Sequence, residues 1–121
     1  MGQAVLPEAW RLEEGPEIPS DAKAVSVARD QGWTIPKLGL TVRKPVVRQK
    51  KRIELFQQFG ASVCDMESAA VLQAGIDSGV PTMAVKVVAD TAESGLSGFW
   101  RNFDANMREL ARQLESLLPE L

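Results

Sequence analysis

The sequence predicts an α/β domain, and three observations lead there. Residues 61–64 and 82–88 are short apolar runs with a helix-like segment between them, the order of a parallel βαβ unit with a right-handed crossover. The second run, Thr82-Met83-Ala84-Val85-Lys86-Val87-Val88, is almost continuously apolar, as a strand covered on both sheet faces should be. Near the end, Phe99, Phe103, Met107, Leu110, Leu114 and Leu117 recur every three or four residues. That spacing makes one amphipathic helix face, suited to packing on a sheet. At 121 residues, the chain 1–121 forms one domain, with enough surface to bury a core.

The elements follow in order. Ala4-Val5-Leu6 predicts a short strand stopped by Pro7. Residues 8–19, with their acids, Gly15, Pro16 and Pro19, predict an irregular excursion. Ser20 stands where it can cap a helix over residues 21–31, whose apolar side is Ala24, Val25, Val27 and Ala28 and which Gly32 closes. Residues 38–47 are strand-like, with Pro45 breaking the run or confining it to an edge. A helix over residues 49–59 should bury Ile53, Leu55, Phe56 and Phe59 and stop at Gly60. Asp65 is an N-cap for a helix over residues 66–78, with Gly79 at the left-handed position beyond it and Pro81 preventing continuation. A loop over residues 89–96 leads into the last helix, residues 97–118.

Composition excludes several function classes. Zero histidines remove Ser-His-Asp and Cys-His nucleophile systems and histidine-ligated zinc. A single cysteine, Cys64, forbids an intrachain disulfide and reads as a small buried apolar residue. The net charge of −2 gives no general attraction to nucleic acid or anionic lipid. The basic cluster Arg43, Lys44, Arg48, Lys50, Lys51 and Arg52 has no interleaved aromatic to stack on bases. It reads as a solvated strand end and helix start, with an anion site as the alternative. No apolar stretch is long enough to span a bilayer. The expectation is a cytoplasmic protein without cofactor or metal, and without a nucleic-acid or membrane partner.

Ligands of open α/β sheets bind at the carboxyl ends of the strands. Asp65-Met66-Glu67 follows one predicted strand and Asp90 the next, so a parallel unit brings Glu67 and Asp90 to one edge. A carboxylate there can accept two hydrogen bonds from neighbouring hydroxyls, and a second can manage a leaving group's proton. Each acid also has a plain structural account. Asp65 caps a helix, Glu67 suits the first turn's dipole, and Asp90 can end a strand in an Asx turn.

Val63-Cys64-Asp65-Met66-Glu67-Ser68-Ala69-Ala70-Val71 resembles the ribose-binding segment of the nucleoside phosphorylase family. That family includes purine and uridine phosphorylases and the methylthioadenosine/adenosylhomocysteine nucleosidases. Gly79-Val80-Pro81 and Ala84-Val85-Lys86-Val87-Val88-Ala89-Asp90 resemble its next strand and catalytic aspartate, and residues 99–118 its closing helix. The resemblance implies a three-layer mixed sheet flanked by helices, of which this chain is the C-terminal half. It implies that Met66 packs against a sugar, that Glu67 holds the 2′- and 3′-hydroxyls, and that Asp90 acts at N7 of a departing purine. Phosphate or water would be the acceptor, and hopanoid-linked nucleosides are one substrate variant in the family. The family often has Ser where this chain has Ala89. The other half would carry the glycine-rich phosphate loop and its arginine, which implies a homo-oligomer or a separately encoded N-terminal half as partner. The rival expectation is a truncated, non-catalytic remnant that binds a nucleoside or a protein partner.

Overall fold

The computed structural model describes residues 3–46, 48–88 and 103–121. Four strands form the larger sheet: β2 (Ala9–Leu12), β3 (Ile18–Pro19), β4 (Leu38–Thr41) and β5 (Val63–Asp65), in the spatial order β3-β2-β4-β5. The β3–β2 pairing is antiparallel; β2–β4 and β4–β5 are parallel, so the sheet is mixed. A separate antiparallel ladder joins β1 (Ala4–Val5) to β6 (Lys86–Val87). The helices are α1 (Ala22–Asp30), α2 (Gln49–Phe59), α3 (Ser68–Asp77) and α4 (Phe103–Leu117). A 3-10 turn, Leu118–Glu120, follows α4.

Strand alternation sorts the core into layers, because successive side chains point to opposite sheet faces. Ala9, Leu38, Leu40 and Val42 pack with Leu55 of α2 on one face. Trp10 and Ile18 pack with Ala69 and Leu72 of α3 on the other. Helix, sheet and helix make the three layers. A third cluster, Ala4, Leu6, Val25, Ala28, Trp33 and Leu117, joins α1 and α4 to the β1–β6 ladder. Gly39 is required by this packing: a Cβ there would stand 2.6 Å from the Trp10 indole.

The mixed α/β architecture is as expected, with four differences of detail. First, residues 8–19 hold the β2–β3 pair rather than an irregular excursion, because Trp10 and Ile18 are core residues carried on strands. Second, β5 and β6 are not neighbours. The parallel partner of β5 is β4, reached through α2, while β6 runs antiparallel to β1. Third, the residue 49–59 helix buries Leu55 and half-buries Phe59 one turn on, whereas Ile53 and Phe56 lie on its outer side at 43% and 57% exposure. Arg11 stacks its guanidinium over the Phe59 ring, 5.0 Å from the centroid. Fourth, Cys64 is exposed, since β5 is the edge strand of the described sheet.

Helix ends show the local chemistry. Asp21, not Ser20, caps α1, its carboxylate accepting from the Ala24 N–H at 3.1 Å. Ser20 is buried and donates to the Pro7 carbonyl at 2.7 Å. Gly60 and Gly79 both have φ of 68°, the left-handed conformation that ends α2 and follows α3. On α4, Leu117 is fully buried and Leu114 half-buried, while Met107 is 41% exposed; Phe99 lies outside the described residues.

Candidate functional site

The site grows from the β4–β5 register, which sets Thr41 beside Asp65 at the carboxyl ends of two parallel strands. The Thr41 hydroxyl donates to Asp65 Oδ1 at 2.8 Å and accepts from the Ala69 N–H at 2.9 Å. The Asp65 carboxylate also accepts from the Ser68 N–H at 3.2 Å, the Ser68 hydroxyl and, at 3.3 Å, the Glu67 N–H. Thus Asp65 satisfies the amides at the start of α3 from two residues before the N-cap position. Glu67 occupies that position and makes no cap bond of its own. The Val42 N–H donates to the Asp65 carbonyl at 2.8 Å, which locks the two strand ends together.

Lys86 completes the arrangement. Its Nζ lies 3.2 Å from Asp65 Oδ2 and 3.1 Å from Glu67 Oε1. Burial alone would lower the lysine pKa, but hydrogen bonds and charge from Glu67 and Asp65 outweigh it, and the pKa stands above its ordinary value. The lysine is cationic at neutral pH and holds two carboxylates that would otherwise repel. Their accessibility differs: the Asp65 side chain is 6% exposed and that of Glu67 is 65% exposed. Asp65 is therefore committed to the scaffold. Glu67 keeps Oε2 open, with no partner among the described residues, and is the carboxylate a ligand can reach.

Cys64 precedes Asp65 on β5. Desolvation raises its thiol pKa first, the Asp65 and Glu13 carboxylates add to that, and Arg52 only partly opposes them, so it stands at about 11. At neutral pH the sulfur is a protonated thiol and a poor nucleophile.

Of the predicted site residues, Met66 and Glu67 are adjacent in the turn between β5 and α3, and Met66 is 49% exposed. Asp90 lies outside the described residues. The strand before it reaches Glu67, but through Lys86 and from a different ladder than the βαβ argument supposed. The sequence reading passed over Thr41 and Lys86. For Lys86 a signal existed: one lysine inside an apolar strand must find a carboxylate partner or reach water. Thr41 gave no such signal, since a threonine ending a strand is ordinary. Among the described residues, no three His, Cys, Asp or Glu side chains are grouped to hold a metal, and no helix is long and apolar enough to cross a membrane.

Known structures share this fold. A 5′-methylthioadenosine/S-adenosylhomocysteine nucleosidase from Helicobacter pylori superposes with a TM-score of 0.84 at 18% identity, over 100% of this chain and 62% of that one. Futalosine hydrolase of Helicobacter pylori gives 0.84 at 20% identity, over 99% and 61%. An S-adenosylhomocysteine nucleosidase from Streptococcus pyogenes gives 0.83 at 20% identity, over 99% and 61%. The chain thus spans less than two thirds of the length of these proteins. No curated protein sequence matches it. Residues 15–121 match the family model described as the Phosphorylase superfamily, a match that runs from the β2–β3 connection through α4 and includes the whole Thr41–Asp65–Glu67–Lys86 site. The chain belongs to the phosphorylase superfamily.

Proposed function

We propose that this chain supplies the sugar-holding side of an enzyme that cleaves the N-glycosidic bond of a purine-type nucleoside. The observation that carries the reading is Glu67, an accessible carboxylate at the carboxyl ends of the parallel strands β4 and β5. Lys86 at 3.1 Å fixes its direction, and Asp65 anchors the turn beneath it. A carboxylate so placed accepts hydrogen bonds from two vicinal hydroxyls and orients the ring for attack at C1′. Met66, half-exposed on the adjacent turn position, offers the apolar contact for the sugar face. Asp90 is the proposed general acid or hydrogen-bond donor at the purine N7, which makes the base a better leaving group as C1′ gains oxocarbenium character. Water or phosphate is the acceptor. Similarity to nucleosidases and a hydrolase supports water.

Turnover is proposed to need the rest of the fold, supplied by a separately encoded N-terminal half, and the chain without it is proposed to self-associate. Two observations support this: the chain spans 62% of a structurally similar nucleosidase, and it exposes large apolar side chains. The test is base release from adenosine, its 5′-thio derivatives and a hopanoid-linked adenosine. Each is assayed with and without phosphate, before and after adding such a half. Base release that falls by ~10²–10⁴ in Asp90→Asn is expected. Nucleoside binding without base release in every combination would favour a binding remnant. Absence of both would refute the reading.

A further inference from the structure

Thr41, at the end of β4, is 3% exposed and uncharged, yet its hydroxyl reaches two other elements. It donates to Asp65 Oδ1 of β5 at 2.8 Å and accepts from the Ala69 N–H of α3 at 2.9 Å. We propose that Thr41 is a positioning residue for Glu67: through Asp65, it sets how the Lys86 ammonium is shared between the two carboxylates. This role rests on the sugar-holding reading of Glu67.

A threonine hydroxyl has one proton to give and lone pairs with which to accept, and both capacities are used here. Ala69 is the second residue of α3, so its amide has no carbonyl within the helix to bond. It is fully buried, which keeps water from that amide. Thr41 therefore serves a helix donor, while the Asp65 carboxylate is engaged with the Glu67 and Ser68 amides.

The donated proton is what matters for Glu67. Lys86 Nζ stands 3.2 Å from Asp65 Oδ2 and 3.1 Å from Glu67 Oε1, so one ammonium serves two carboxylates. The Asp65 side chain is 6% exposed and has little recourse to water, so any donor it loses is replaced by a stronger hold on Lys86. Glu67 is largely exposed and has water as its alternative. With the Thr41 proton on Oδ1, Asp65 is satisfied and Lys86 can direct Glu67. Without it, Asp65 draws the ammonium inward and Glu67 turns to solvent. The bonds inside the turn do not substitute, because they tie Asp65 only to α3. Thr41, with the Val42 N–H on the Asp65 carbonyl, ties it to β4.

Thr41→Val keeps the shape of the side chain and removes the hydroxyl, and Thr41→Ser restores the hydroxyl. In the full chain, nitrogen-15 NMR of the Lys86 ammonium reads its hydrogen-bond couplings to the Asp65 and Glu67 carboxyl carbons. Thr41→Val should weaken the Glu67 coupling and strengthen that of Asp65, with the wild-type pattern kept in Thr41→Ser. Adenosine and adenine are then titrated against the chain completed by the remainder of the fold. The preference for adenosine should fall about three- to tenfold in Thr41→Val and hold in Thr41→Ser. Ser20→Ala, which removes the buried hydroxyl bonded to the Pro7 carbonyl, is the control for stability alone. It should lower the urea midpoint and change neither readout. Unchanged couplings in Thr41→Val overturn the proposal. So does an adenosine preference that Glu67→Ala lowers and Thr41→Val does not. If Glu67→Ala itself leaves that preference unchanged, the sugar-holding reading falls, and this role with it.

Discussion

Replacing Lys86 by Met would leave Asp65 and Glu67 facing one another with no cation between them. Breaking a fully buried pair costs about 3–5 kcal/mol. Lys86 is only partly buried and Glu67 can turn to water, so Lys86→Met should cost about 1–2 kcal/mol in urea unfolding. The pH dependence has a definite sign. The folded-state lysine pKa lies above its ordinary 10.5, so the contribution of Lys86 is complete below 10.5 and is lost as pH rises through the folded value. The stability gap between wild type and Lys86→Met should stay constant through neutral pH and close only above 10.5. A gap that changes between pH 6 and 9 would contradict the ion-pair account. Trp10 gives a second residue-scale test. Its Nε1 is buried with no hydrogen-bond partner, so Trp10→Phe removes an unsatisfied donor along with some packing. It should cost much less than Trp10→Ala, for which about 3–5 kcal/mol is expected in the same assay.

Elements are where pattern and packing part company. The apolar spacing of residues 49–59 and the closing Gly60 are enough to place α2, and Gly32 and Gly79 likewise mark the ends of α1 and α3. The caps stand one or two residues from where the pattern puts them: Asp21 in place of Ser20, and Glu67 in place of Asp65. Which face goes inward is a tertiary matter: Leu55 and Phe59 meet the sheet, while Ile53 and Phe56 do not. Leu55→Ala should therefore destabilise by about 2–5 kcal/mol, whereas Phe56→Ser should change folding stability by about 0.5 kcal/mol or less. Equal effects would mean the helix face is misassigned. Periodicity also identifies strands without naming their neighbours. The runs at β4, β5 and β6 are similarly apolar, so nothing local tells β5 to pair with β4 or sends β6 to β1. The carboxyl-edge position of Asp65-Met66-Glu67 was legible because it needs only a strand followed by a helix. The Lys86 contact was not, because it depends on the arrangement of two ladders. Gly39 shows the same limit: it reads as a weak strand residue until Trp10 is found lying against it, and Gly39→Ala should cost about 1–3 kcal/mol by overpacking.

Across the whole molecule, large apolar side chains are exposed on both helices that flank the sheet, among them Ile53 and Phe56 on α2 and Val71 and Ile76 on α3, with Val80 just beyond it. Scattered exposed apolar residues are ordinary, but several on two helices that flank one sheet mark surface suited to burial. Light scattering of the purified chain should give a mass above the monomer, and Val71→Ser with Ile76→Ser should shift it down without unfolding the chain. A monomer at every concentration would remove the case for a covering partner. The site and the sheet meet in Glu67, whose carboxylate the fold presents and which, in the proposed function, holds the sugar. Isothermal titration of adenosine and of free adenine, against the chain completed by the remainder of the fold and against the same assembly carrying Glu67→Ala, tests that directly. Loss of a charge-assisted contact predicts adenosine weakened by roughly ten- to hundredfold, with adenine binding unchanged. Equal weakening of adenosine and adenine, or no weakening of either, would contradict the assignment of Glu67 to the sugar.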